Sequence, residues 1–139
     1  MRTLIKGLSI GLLALVIAAC GEALTPPTTF EVVLDGEQAG VDTAAFATAN
    51  VSAVGNVVTI AGSWDAPEGT VITSAGVYGP ADEGEPGALL HALGIDSEDK
   101  TFGGTFTLDP ERLAHFEDGR LYLALNADGE PLLRGQITR

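Results

Sequence analysis

From Thr29 onward, apolar and polar residues alternate in short runs. Phe30, Val32 and Leu34 alternate with Glu31, Val33 and Asp35, which predicts a half-buried strand ended by Gly36. Ala47, Ala49, Val51 and Ala53 alternate with Thr48, Asn50 and Ser52, and Gly55-Asn56 separates them from Val57–Trp64. Two β-rich runs joined by Gly-Asn predict a tight hairpin, because glycine supplies the positive φ that such turns need. Val71–Tyr78 and Ala88–Leu93 are two further predicted strands, with a loop of Gly, Pro and acids between them at 79–87. Phe102–Leu108 alternates again, Leu121, Leu123 and Leu125 share one strand face, and Asn126–Pro131 turns the chain into a last strand at Leu132–Thr138.

One helix interrupts this series. Asp109-Pro110-Glu111-Arg112 offers an N-cap, a proline at the first helical position and an acid in the first turn. Gly119 stops it, so the helix near 110–117 has one or two turns. Seven or eight short strands with no long amphipathic helix predict an all-β, antiparallel sandwich or barrel, and the expectation carried forward is a Greek-key-like β-sandwich.

The first residues follow another pattern. Met1–Lys6 holds two cations and no acid, and Gly7–Ala19 then runs thirteen residues without a charge. A positive start, a short apolar stretch and small residues form the pattern of a cleaved export signal. A membrane-spanning helix needs about 20 apolar residues, so the stretch is short for a permanent anchor. Ile17-Ala18-Ala19-Cys20 resembles the lipobox of bacterial lipoproteins. That resemblance implies a diacylglycerol thioether on Cys20, cleavage before it and acylation of the new amine. Two or more acyl chains anchor stably where one does not. The expected organisation is a signal peptide at 1–19, a lipidated tether at 20–28 and one domain at 29–139. Cys20 is the sole cysteine, so once it is lipidated no disulfide can form and the domain rests on its core.

Charge narrows the partners. All nineteen acids follow the signal, while Arg2 and Lys6 leave with it, so five cations remain and the net charge moves from −12 to −14. Nucleic-acid binding needs a basic footprint, which this chain lacks. An acidic body is also repelled by anionic headgroups, so the lipid must supply membrane affinity.

The domain resembles the CHRD domain, known from the repeats of chordin and from secreted microbial proteins. The resemblance rests on Thr29–Gly36, on the strand end at Gly62, and on Gly119-Arg120-Leu121-Tyr122-Leu123 followed by Leu133-Arg134-Gly135-Gln136-Ile137. The Arg134-Gly135-Gln136 ending is its most specific part. Many members carry a His-x-His-like element in a middle strand and a histidine in the penultimate one. Here Ala75–Gly79 and Leu123–Asn126 stand in those places without histidine, so a metal role does not carry over.

Candidate chemistry is sparse. Zinc or copper needs three or four converging ligands, and His91 and His115 are the two histidines, on different predicted elements. Calcium accepts irregular loops of oxygen donors, which makes Asp82, Glu83 and Glu85, or Asp96, Glu98 and Asp99, the metal candidates, although neither set has EF-hand spacing. No Gly-x-Ser-x-Gly elbow is present, and nothing selects a carboxylate pair for glycoside cleavage. Arg134 and Gln136 share a strand face, either as a ligand-contacting pair or with Arg134 covering apolar surface and pairing with a carboxylate. Trp64 closes a strand as a packing residue. The expected protein is a non-enzymatic, cofactor-free binding or structural module on the outer face of a bacterial membrane. Its partners would be membrane lipid through Cys20 and an envelope protein or polysaccharide. The rival is a calcium- or transition-metal-dependent protein, or a small hydrolase, on the same scaffold.

Overall fold

Eight antiparallel strands form one sheet that closes on itself in the order β1-β2-β3-β6-β5-β4-β7-β8. They are β1 (Thr28–Asp35), β2 (Phe46–Val54), β3 (Val57–Asp65), β4 (Ser74–Gly79), β5 (Ala88–Asp96), β6 (Thr101–Thr107), β7 (Tyr122–Ala127) and β8 (Glu130–Gln136). Two helices accompany them, α1 (Gly36–Ala39) and α2 (Pro110–Glu117). The computed structural model describes residues 28–138; the signal, the lipobox with Cys20 and most of the tether lie outside the described residues.

The expected strands are present with slightly shifted ends. The inward face of each is the apolar set read from the alternation. Val32 and Leu34 of β1, Val51 of β2 and Val58 and Ile60 of β3 are buried, as are Val77 of β4, Leu123 and Leu125 of β7 and Leu133 of β8. The Gly55-Asn56 hairpin forms, with Gly55 at φ +62°. Two crossovers, β3 to β4 and β6 to β7, place β3 beside β6 and β7 beside β4. Each makes a Greek key with the β4-β5-β6 meander.

The sandwich is corrected to a barrel. Two four-stranded halves, β1-β2-β3-β6 and β5-β4-β7-β8, pair along most of their lengths. They also join at both edges. At one edge Gly94–Asp96 of β5 pairs with Thr101–Gly103 of β6; at the other β1 meets β8 through Asp35 and Arg134. Closure removes the unpaired edges that a two-sheet sandwich would leave. Side chains fill an eight-stranded barrel of this kind. Here Ala47 and Ala49 of β2 make room for Trp64 and Phe102, whose rings stack at 6.4 Å and 30°. Trp64 is therefore a core residue. A Cβ on Gly62 would collide with the Phe102 ring and with the Thr48 carbonyl.

Helix α2 is capped as expected. The Asp109 carboxylate accepts from the Arg112 N–H at 2.8 Å, and Gly119, at φ +76°, ends the helix with the Arg120 N–H bonded to the His115 carbonyl at 2.9 Å. It lays Phe116, 2% exposed, against Phe30 and so covers one end of the barrel. Helix α1, a single turn, was not expected from the strand pattern. Its signal is present as Asp35-x-x-Gln38: the Asp35 carboxylate caps the Gln38 N–H at 2.9 Å, and the Gln38 amide reaches back to the same carboxylate at 3.3 Å, a variant of the capping box.

The β1–β8 seam depends on Gly135. A Cβ there would strike the Val33 carbonyl and the Val32 and Leu34 side chains. Overpacking a full core costs roughly 1–3 kcal/mol, so Gly135→Val is expected to lower stability by about that amount. Urea unfolding followed by Trp64 fluorescence checks this; an unchanged midpoint would show that the seam is slack.

Candidate functional site

The outer faces of β7 and β8 should be wet in a barrel of this kind, yet β7 is buried on both faces from Tyr122 to Asn126. The covering element is the 80–87 loop, which leaves β4 through a cis Gly79–Pro80 peptide. It folds over the outward side chains Tyr122 and Ala124 of β7 and Arg134 and Gln136 of β8. Ala81, Tyr122 and Ala124 form a small second core beneath it, with Tyr78 packed at its edge.

Arg134 is the centre of this layer. It is 6% exposed, and its guanidinium donates to the Glu85 carbonyl, to the Asp82 carbonyl at 2.9 Å and to the Gln136 side-chain oxygen at 2.9 Å. It lies 3.6 Å from the centroid of the Tyr122 ring, within the range of a cation–π contact. Tyr78 stacks on Tyr122 at 5.4 Å and 14°. Gln136 continues the layer, its amide donating to the Ala81 and Gly119 carbonyls at 2.9 Å each. The Tyr122 hydroxyl accepts from the Gly87 N–H at 2.9 Å. Asn126 donates to the hydroxyls of Tyr78 and Ser74 at 3.1 and 3.0 Å. The loop is thus held by bonds to its backbone, with Ala81 packed beneath it and the side chains of Asp82, Glu83 and Glu85 exposed.

The carboxylate partner expected for Arg134 is replaced by carbonyl oxygens. Asp35 stands opposite Arg134 in the β1–β8 pairing, but its carboxylate is engaged as the cap of α1. The ion pairs among the described residues join Arg112 to Asp109 and Arg120 to Asp82, both with exposed partners, where such pairs contribute little. The Nε of Arg134 is buried without a hydrogen-bond partner.

Gln38 ties the layer to the seam. Its side-chain oxygen accepts from the Gln136 N–H at 3.1 Å, and its amide nitrogen donates to the Val33 carbonyl at 3.2 Å. One amide therefore bridges β8 to β1 where backbone pairing has lapsed. Between α1, the loop and these strands lies a cavity of about 280 Å³ walled by Gln38, Ala39, Pro86, Tyr122, Ala124 and Arg134, with Glu37 also on its lining. Among the described residues that line it there is no serine, cysteine or histidine.

The two histidines lie elsewhere. His91 points inward, opposite the buried Val77, and stacks on Phe106 at 4.6 Å. His115 sits in the last turn of α2. Among the described residues no three His, Cys, Asp or Glu side chains converge as a metal site. The structure therefore does not bring together Asp82, Glu83 and Glu85, nor Asp96, Glu98 and Asp99. In the latter set, the Asp96 carboxylate accepts from the Glu98 and Asp99 N–H groups at 3.0 and 3.1 Å and shapes the β5–β6 turn. Tyr122, Tyr78, Asn126 and Gln38 were not singled out from the sequence. The signal for Tyr122, Tyr78 and Asn126 was a polar or aromatic side chain on a strand face opposite apolar residues, and for Gln38 it was the Asp35-x-x-Gln38 spacing.

Comparison with family models, with curated proteins and with solved structures finds no match.

Replacing Arg134 leaves the buried Gln136 oxygen and the part-buried Asp82 and Glu85 carbonyls without this donor, and a fully buried acceptor left unpaired costs about 1–3 kcal/mol. Arg134→Met is expected to destabilise the domain by about 3 kcal/mol and to expose the 80–87 loop to protease. Arg134→Lys should recover only part of this, because an ammonium does not reproduce the planar fork. Denaturant midpoints and limited proteolysis of the two variants check it, and a wild-type profile for Arg134→Met would remove the clamp.

Proposed function

We propose that the protein is a lipoprotein held on the extracytoplasmic face of a bacterial membrane by acylated Cys20, and that its CHRD-like barrel is a non-enzymatic binding or structural module. The anchor is supported by Ile17-Ala18-Ala19-Cys20 at the end of an uncharged run that follows Arg2 and Lys6. One observation carries the module reading. Arg134 and Gln136, the most distinctive residues of the chain, hold the 80–87 loop by its carbonyls. Their donors are turned to architecture, and the product is a fixed loop with Glu83 and Glu85 exposed on its outside. A rigid displayed loop is what a binding scaffold needs. The partner in this reading is an envelope protein or a polysaccharide. Nucleic acid is disfavoured by a net charge that reaches −14 once Arg2 and Lys6 are removed from the full chain.

The anchor is tested by Cys20→Ala in the full chain. The wild type is expected to incorporate radiolabelled palmitate and to fractionate with membranes. The variant should incorporate none and leave the membrane fraction or accumulate unprocessed. Palmitate labelling that survives the substitution, or is absent from the wild type, would overturn the assignment.

A further inference from the structure

The loop does not use up Arg134. A guanidinium carries five N–H groups, and three of them serve the Asp82 and Glu85 carbonyls and the Gln136 oxygen. Among the described residues the Nε proton has no acceptor, and the guanidinium takes part in no ion pair. A side chain only 6% exposed therefore holds a positive charge that carbonyl dipoles solvate and no carboxylate neutralises. Water screens such a charge poorly, so it attracts an anion more strongly than a surface cation does.

The cavity between α1, the 80–87 loop, β7 and β8 lies against this charge. Arg134 forms part of its wall, and Ala39, Pro86, Tyr122, Ala124 and Pro131 make the rest largely apolar. Gln38 also lines it, but its amide is committed to Val33, Asp35 and Gln136. The volume of about 280 Å³ is near the lower limit of small-molecule sites, which run from roughly 300 to 1,000 Å³. The walls are fixed in advance, the loop by Arg134 and Gln136 and α1 by its Asp35 cap, so binding requires little ordering. Four carboxylates oppose an anion here: Glu37 on the lining, and Asp82, Glu83 and Glu85 on the loop, all exposed. Exposed charges are screened by water and salt, whereas Arg134 acts from the interior. The carboxylates therefore weaken the attraction for an anion inside the cavity without reversing it.

We propose that this cavity binds a small organic acid, its carboxylate serving as the counter-ion of Arg134 and its apolar body resting against the two prolines, the two alanines and Tyr122. The unused N–H groups of the guanidinium supply the donors. A phosphate or sulfate fits less well, because apolar walls would leave its further oxygens without donors. A cation meets the guanidinium in the wall, and a neutral ligand leaves the buried charge uncompensated. The site depends on the Arg134 network and on neither the lipid anchor nor a partner of the displayed loop.

The test follows ¹H–¹⁵N spectra of the full chain in a zwitterionic detergent, titrated with phenylacetate, with its neutral amide phenylacetamide and with phenethylamine. The three share an aromatic body and differ in charge. Phenylacetate is expected to shift the Arg134 Nε–H and the Ala39 and Ala124 amide signals saturably, with a Kd on the order of 1–10 mM. The amide and the amine should bind at least about ten-fold more weakly, the loss of one charge-assisted hydrogen bond. Glu37→Gln should tighten phenylacetate binding by roughly two- to three-fold. Ala39→Phe, which fills the cavity, should abolish the shifts while the Leu125 and Leu133 signals of the core stay in place. Absence of a saturable shift with phenylacetate, equal affinity for the amide, tighter binding of the amine, or binding that survives Ala39→Phe would each overturn the proposal. If Ala39→Phe disturbs the core signals, Glu37→Gln decides, and unchanged or weaker phenylacetate binding there overturns it.

Discussion

Strands β1 and β8 share a single ladder pair, Asp35 with Arg134, and the rest of the barrel depends on how that seam is closed. Two residues close it. Gly135 lets the β1 backbone come so near that a Cβ would collide with the Val33 carbonyl, and the Gln38 amide joins the Gln136 N–H to the Val33 carbonyl. An amide side chain carries N–H donors and a carbonyl acceptor, the two kinds of group that a peptide unit offers, so it can replace a missing rung between strands. The turn that presents Gln38 is itself capped by Asp35. The seam, the cap and the turn are therefore one construction.

That construction also explains the position of Arg134. With the Asp35 carboxylate committed to α1, the guanidinium turns to the carbonyls of the 80–87 loop. A buried cation without a carboxylate is costly unless its donors find acceptors. Carbonyl dipoles, the Gln136 oxygen and the Tyr122 ring provide them. The loop and the two strands become interdependent, since neither is satisfied without the other. The consequence is a barrel whose second face is built to immobilise a loop.

Much of the fold was legible in the sequence because its signals are local. Alternation at Val57–Ile60 or Leu121–Leu125 reports which face is buried, and Asp109-Pro110 with Gly119 brackets α2 by hydrogen bonds a few residues long. The choice between sandwich and barrel was not legible, because it turns on whether Gly94–Asp96 meets Thr101–Gly103 and whether β8 reaches β1. The candidate site was legible only in part. Arg134 and Gln136 share one face as the alternation indicates, but their partners lie far along the chain at Ala81, Asp82, Glu85 and Gly119. Tyr122 read as an outward residue on a half-buried strand, for the covering loop adds no periodicity of its own.

The sequence by itself determined the strands and the capped helix, which follow from side-chain chemistry within a few residues, and the acidic balance. Only the tertiary structure decided that the sheet closes, that Arg134 binds carbonyls in place of a carboxylate, and that the 80–87 loop covers the outer face of β7. Each of these is a matter of which distant backbone comes within hydrogen-bond or Coulomb range. That proximity is set by strand register and loop packing, and no local pattern encodes it.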